Sequence, residues 1–302
     1  MEFREIIKGT KIDFIGMRNK MFIFSAILVL LGIIGFIMVS MGKANLSEDF
    51  TGGANLLINF NQSVNIGELR SVLTNNGIHD VQIQQVSGTN QFFIKTKISD
   101  TEKEKVVDKI QRVFSNSLQD KKYEVLSSNM VGPAVGKTLK RSAIVAVILS
   151  LIGIIIYIAL RFNFVFGVAA TIATFHDVLV MLGLFFVLGR EMNILFITAL
   201  LTIAGYSLTD TVVVYDRIRE NMAKMKAKSD LGDVINNSIN EVLSRTIITS
   251  MTVVLVIAAL LVLGGRVLFD FSLALLIGVL IGTYSSIFVA SPLIFLWRRK
   301  LR

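Results

Sequence analysis

Residues 192–214 read MNILFITALLTIAGYSLTDTVVV, a run whose single acidic or basic side chain is Asp210. At 1.5 Å per residue a helix of this length crosses the roughly 30 Å of hydrocarbon in a bilayer. A carboxylate inside that layer costs several kcal/mol unless it is partnered or faces water, so Asp210 marks a candidate ion pathway. Tyr206 and Ser207 lie one helical turn before it and are expected on its face, with Thr209 and Thr211 on either side as further polar support. The run ends in Asp216-Arg217-Ile218-Arg219-Glu220, where the chain is expected to leave the membrane.

Working outward, comparable apolar runs occur at Met21–Val39, Ala143–Leu160, Phe164–Leu188, Thr246–Leu263 and Phe269–Trp297. Six spans are therefore expected. Composition agrees: 302 residues, 53% hydrophobic, only 18% charged, with mean hydropathy +0.66. A soluble domain carries more charge. The net charge of +9 does not indicate nucleic acid, because much of it sits in short segments beside apolar runs. Without cysteine there is no disulfide framework and no thiol chemistry. The first span lacks the short apolar core and small-residue site of a cleaved signal, and is read as a retained anchor.

Basic residues cluster before the first span (Arg4, Lys8, Lys11, Arg18, Lys20), at Arg161, in the segment holding Arg217, Arg219, Lys224, Lys226 and Lys228, and at Arg298, Arg299, Lys300 and Arg302. The opposite short loops hold little beyond Arg190 with Glu191, and Arg266 with Asp270. The positive-inside rule then places both termini in the cytoplasm. The long segment between spans one and two faces outward, since long domains cross largely regardless of charge. The expected organisation is a cytoplasmic tail over 1–20, a first transmembrane helix over 21–41 and an exported domain over 42–140. Helices two to six follow over 141–297, with a cytoplasmic loop over 216–243, and the basic tail is 298–302.

The exported segment predicts a small α+β fold. Leu56, Ile58 and Phe60 alternate as a strand; Ile66, Leu69, Val72 and Leu73 have helical spacing, closed by Gly77. Val81 and Ile83 begin a second strand, Gly88-Thr89-Asn90 a turn, and Phe92, Ile94 and Ile98 a third strand. Ser99 with Glu102 forms a capping box for a helix bearing Val106, Val107, Ile110, Val113 and Phe114. A last strand is expected near Lys122–Leu126. The order βαββαβ is ferredoxin-like, a fold that names no function by itself.

Several stretches carry candidate chemistry. Gly132-Pro133-Ala134-Val135-Gly136-Lys137-Thr138 has Val131 where a phosphate-binding loop needs glycine, so it is read as a flexible or kinked approach to the second span. Asp49-Phe50-Thr51-Gly52-Gly53 joins the first span to the first strand, as a hinge or an ordinary turn. His176-Asp177 lies halfway along the third span, about 18 Å from either end, as further candidates for the proton pathway or as satisfied structural polar groups between helices. Adjacent residues point about 100° apart, so each is expected to need its own partner or water. In the fifth span Arg245 enters at a depth estimated to match Asp210, with Thr249 and Thr252 continuing its polar face. The two charges could pair and be released by protonation, or Arg245 could snorkel to the headgroups. Gly278 and Gly282 suit close helix packing in the sixth span.

Residues Gly205 to Asn221 (GYSLTDTVVVYDRIREN) resemble the signature of the SecF members of the SecD/SecF protein-export family. The resemblance extends to Asp49–Gly53, Val131-Gly132-Pro133, His176-Asp177 and Ser244-Arg245-Thr246, and so covers nearly the whole chain. Thr209 departs mildly, standing where asparagine is common, though a hydroxyl still hydrogen-bonds. The resemblance implies half of a resistance-nodulation-division (RND) transporter fold, completed by a six-span SecD partner in a bacterial cytoplasmic membrane. It also implies a proton-driven accessory role in preprotein export beside the SecYEG channel, with a YajC-type accessory among the partners. Asp210 and Arg245 would fall at the positions that the family links to proton conduction. Protons would be the coupling ion, with no cofactor, no metal and no enzymatic activity.

Three other readings compete. One is an RND-type lipid or small-molecule exporter subunit, although such exporters usually hold twelve spans in one chain. Another is an intramembrane aspartyl protease using Asp177 and Asp210, which the roughly 9 Å difference in their depths and the lack of a Gly-x-Gly-Asp stretch disfavour. The last is a passive scaffold, for which neutral variants at Asp177, Asp210 and Arg245 would stay functional.

Overall fold

The computed structural model describes residues 10–79, 81–86, 88–96, 105–118, 121–225 and 230–300. In chain order the elements are α1 (Arg18–Ser40), α2 (Glu48–Thr51), β1 (Gly53–Phe60), α3 (Ile66–Asn75), β2 (Val81–Gln85), β3 (Gln91–Thr96), α4 (Lys105–Ser117) and β4 (Tyr123–Val131). Then follow α5 (Pro133–Arg161), α6 (Phe164–Val187), α7 (Ile194–Ala223), α8 (Leu231–Leu263), α9 (Gly265–Ser285), a π-helical turn (Ser286–Ala290) and α10 (Ser291–Lys300). Two compact units result, residues 46–145 and the remainder.

In the first unit the alternating apolar residues of β1 bury Ala54, Leu56, Ile58 and Phe60 on one face. The sheet runs β2-β3-β1-β4 with every neighbouring pair antiparallel. This is the strand order of a ferredoxin-like βαββαβ unit. α3 contributes Leu69 and Leu73, and α4 contributes Ile110 and Phe114, to the same core. Phe60 meets Phe92 and Phe114 edge-on at 5.8 and 5.9 Å, a favoured aromatic geometry. β4 is longer than its apolar signal suggests, because its partner β1 supplies backbone pairing out to Val131. Ile98 and the Ser99–Glu102 capping box lie outside the described residues, as do Arg4, Lys8, Lys226, Lys228 and Arg302.

The stretch at Asp49–Gly53 is more than a plain turn. Asp49 and Thr51 lie in the single helical turn α2, whose cap Ser47 accepts from the Asp49 N–H. Gly52 follows at φ +74°, and a Cβ there would lie 2.8 Å from Pro133 Cα. Gly132 separates β4 from α5, and Pro133 opens that helix, where its missing N–H costs nothing. The structure thus brings the two predicted hinge segments together. It replaces the expected flexible approach with helix from Pro133 onward, ten residues before the hydropathy rises at Ala143.

Among the described residues six helices are long and apolar enough to cross a membrane. α6, α7 and α9 form the buried centre, while α5 buries little of its surface. Much of the segment 216–243, expected as a loop, is helix: α7 continues to Ala223 and α8 starts at Leu231, capped by Asp230. Local ion pairs hold the polar end of α7, Arg217 with Glu220 at 2.6 Å and Glu220 with Lys224 at 2.7 Å.

The described part of the N-terminal segment docks on this extension. Asn240 donates to Ile12 O at 2.9 Å and accepts from the Ile12 N–H, while Asn236 accepts from the Ile15 N–H and donates to Asp13 at 2.7 Å. The Gly16 N–H and then Asn236 hold the Asp13 carboxyl below the ordinary carboxylate range. Bonds to the ionised form are therefore complete above that ordinary range and are lost as pH falls through the lowered value. Hydrogen-exchange protection of the Gly16 amide should persist at pH 6 and be lost only as pH falls below the ordinary carboxylate range.

α1 and α6 meet backbone to backbone. A Cβ on Gly32 would lie 2.3 Å from Leu179 O, and one on Gly183 2.5 Å from Gly32 N. Gly183→Ala is expected to destabilise the bundle by about 1–3 kcal/mol, since a backbone must shift to admit the methyl. Gly153 has open space around it, so Gly153→Ala should be neutral or up to about 1 kcal/mol stabilising. Unfolding in mixed micelles compares the two.

Candidate functional site

The centre of the bundle holds two buried acids on two different sets of partners. Asp177 on α6 is 1% exposed. Ser207 on α7 donates to its Oδ2 at 2.5 Å and Ser285 on α9 at 2.8 Å. Its Oδ1 lies 2.9 Å from His176 Nδ1. The expectation that each of these neighbours needs a separate partner is corrected: a 100° offset is closed when both side chains turn toward one another between helices. His176 Nε2 is buried and makes no hydrogen bond among the described residues, and its ring sits 6.2 Å from that of Tyr284. Tyr284 in turn donates to Met21 O at 3.0 Å and meets Ser25 at 2.9 Å, tying α1 to this centre.

Asp210 on α7 is 6% exposed and held more loosely. Ser250 on α8 reaches its Oδ2 at 3.3 Å and Thr283 on α9 at 3.4 Å. Each hydroxyl has one proton to give. Ser250 and Thr283 lie only 2.7 Å apart, and Thr283 can donate to Val279 O at 2.9 Å. Shorter alternatives thus compete for the protons that would serve Asp210. Tyr206 lies beside Ser250 and Asp210, and its buried hydroxyl makes no hydrogen bond among the described residues.

Arg245 does not pair with Asp210, which corrects the depth argument. The residue of α8 level with Asp210 is Ser250, five positions on, so Arg245 lies about 7.5 Å nearer the helix start and about 140° round the axis. Its side chain is exposed. Ser207 also departs from expectation, turning to Asp177 instead of Asp210. Room for it comes from Gly282, whose Cβ would lie 2.9 Å from Ser207 Cβ. Gly278 likewise receives Ile203, so the close packing expected of these two glycines is present. Thr211 meets Ser286 at 2.9 Å, within the bundle. Thr209 and Thr249 are exposed and bond their own helix backbones, as does Thr252.

The residues that complete both cradles, Ser250, Thr283 and Ser285, do not stand out by charge. A signal was available: Thr283-Tyr284-Ser285-Ser286 is a polar run inside an apolar span, and Ser250 follows Thr246 by one helical turn.

Comparison with known proteins fits this arrangement. Residues 110–300 match the family described as protein export membrane protein SecD/SecF, C-terminal. The chain belongs to the SecD/SecF family. It is 47% identical over 293 residues to the protein translocase subunit SecF of Thermodesulfovibrio yellowstonii, covering 97% of this chain and 96% of that one. Against the SecF of Calditerrivibrio nitroreducens the identity is 37%, over 98% and 97% of the two chains. The crystal structure of SecDF, a translocon-associated membrane protein from Thermus thermophilus, is similar with a TM-score of 0.83 at 38% identity. That match covers 99% of this chain and 40% of SecDF, so the chain spans about two fifths of the longer SecD/SecF family member. The six-span bundle with its small sheet domain is the RND-like fold of that structure.

Proposed function

We propose that this chain is the SecF-type subunit of protein export. It works with a SecD partner beside the SecYEG channel and uses proton movement to promote late steps of preprotein transfer. Both termini lie in the cytoplasm of a bacterial cell, residues 42–140 are exported, and the exported domain meets the preprotein. The subunit has no enzymatic role and no cofactor, and protons are its coupling ion.

The observation that carries the proton-driven reading is the contrast between the two acids. Asp177 has three contacts of 2.9 Å or less and serves as the fixed post of the bundle. Asp210 has only long contacts to hydroxyls that have shorter options. A proton arriving at or leaving Asp210 changes which of Ser250, Thr283 and Tyr206 bond to it, and so changes how α7 sits against α8 and α9. That is a two-state element which a proton gradient can bias. The acids share no hydrogen-bond partner among the described residues, which argues against an aspartyl-protease dyad.

The SecD role is supported by SecDF, where this chain's counterpart shares one polypeptide with further sequence. It is also supported by exposed stripes at helical spacing, Thr198, Thr202, Gly205 and Thr209 on α7, and Arg245, Thr249 and Thr252 on α8. An exposed guanidinium on a membrane helix favours a protein neighbour over lipid. Proton flux measured in vesicles holding this chain with SecD should exceed that of an Asp210 variant. Equal flux would remove the mechanism.

A further inference from the structure

The last turns of α5, α7 and α10 and the first turn of α6 line an open cavity of about 810 Å³. Three arginines line it, Arg161, Arg219 and Arg298, with Asp216 and Glu220. Aromatic rings hold each guanidinium: Arg161 and Arg219 over Phe162 at 5.0 and 5.7 Å, and Arg298 over Phe166 at 5.7 Å. A guanidinium over a ring face makes no hydrogen bond to the ring, so its N–H donors stay available for a bidentate acceptor.

The charges do not cancel. Asp216 bridges Arg161 at 2.7 Å and Arg219 at 3.7 Å. Glu220 is drawn off by Arg217 and Lys224. No carboxylate among the described residues pairs with Arg298, so the cavity keeps an excess of positive charge. Next in sequence to the lining residues Asn163 and Arg298, Phe164, 74% exposed, meets Trp297 edge-on at 5.8 Å. Aromatic residues at a helix end mark the interface between hydrocarbon and water, and a basic pocket between membrane helices at that depth suits a lipid phosphate.

We propose that this cavity binds the phosphate headgroup of an anionic phospholipid, with its acyl chains passing over Phe164 and Trp297. Arg298 would be the principal contact, and the Asp216-linked pair Arg161 and Arg219 would complete the anion site. Lipid binding here would pin the ends of α5, α7 and α10 to the membrane surface.

The test is a titration of the full chain in neutral detergent with phosphatidylglycerol, read by native mass spectrometry, beside arms with phosphatidylcholine and with inorganic phosphate. Phosphatidylglycerol should bind in preference to phosphatidylcholine. Arg298→Gln should weaken it about tenfold, as expected for loss of charge-assisted hydrogen bonds, and Arg298→Lys should weaken it less. Lys20→Gln, an exposed charge removed outside the cavity, should leave it unchanged. Thermal unfolding without added lipid checks that the variants fold, and the Arg298→Lys intermediate keeps the test informative if Arg298→Gln does not. Undiminished binding in both Arg298 variants, or an equal loss in Lys20→Gln, overturns the proposal. Displacement by millimolar inorganic phosphate overturns the lipid as occupant and assigns the site to a soluble anion.

Discussion

Asp210→Asn is expected to leave the chain folded and inserted while removing its proton-dependent stimulation of preprotein export, a loss of at least tenfold in the gradient-driven component. The amide has the shape of the carboxyl and retains an oxygen for Ser250 and Thr283, whose contacts are 3.3 and 3.4 Å. Side-chain hydrogen bonds within membranes average about 0.6 kcal/mol, so the change in stability should stay below about 1 kcal/mol. What an amide cannot do is take up and release a proton. The measurement is translocation into vesicles containing this chain, SecD and the channel, with and without an imposed proton gradient. Full stimulation in the variant would leave a passive scaffold as the better reading.

The second large effect is on stability. Asp177→Ala removes the acceptor of Ser207 and Ser285 and the partner of His176 Nδ1, all in a region sealed from solvent. Three membrane-embedded hydrogen bonds at about 0.6 to 1.7 kcal/mol each give a loss of roughly 2–5 kcal/mol. Asp177→Asn, which keeps an acceptor oxygen, should lose clearly less. Unfolding in micelles titrated with a denaturing detergent would measure both beside Asp210→Asn. If Asp177→Ala proved no less stable than Asp210→Asn, the assignment of one acid as fixed post and the other as mobile would fail.

The sequence made the spans and the sheet domain legible because both are written in periodicity, alternation in β1 and long apolar runs in the helices. It also pointed to both buried acids, since a charge within hydrocarbon is conspicuous. It did not show which residues meet them. Depth counted from the edge of an apolar run shifts when the helix begins before that edge, and azimuth depends on how neighbouring helices are rotated; both misdirected Arg245. Ser207 bonds to Asp177 whereas Tyr206, adjacent in sequence, lies beside Asp210, because α7 is packed on one side by α6 and on another by α8. The end of α7 was missed for a related reason: hydropathy reports where lipid stops, whereas Arg217, Glu220 and Lys224 keep the helix going in water.

The π-helical turn at Ser286–Ala290 fits one residue more into its stretch of the sixth span than an α-helix would. Ser291 closes onto Ser286 O across it at 2.9 Å. Every side chain beyond it owes its compass bearing to that additional residue. Deleting one position there would restore ordinary winding and swing the remainder by about 100°, turning Ile294 out of the core and Arg298 away from Phe166. In this short stretch the number of residues is as tightly constrained as their identity.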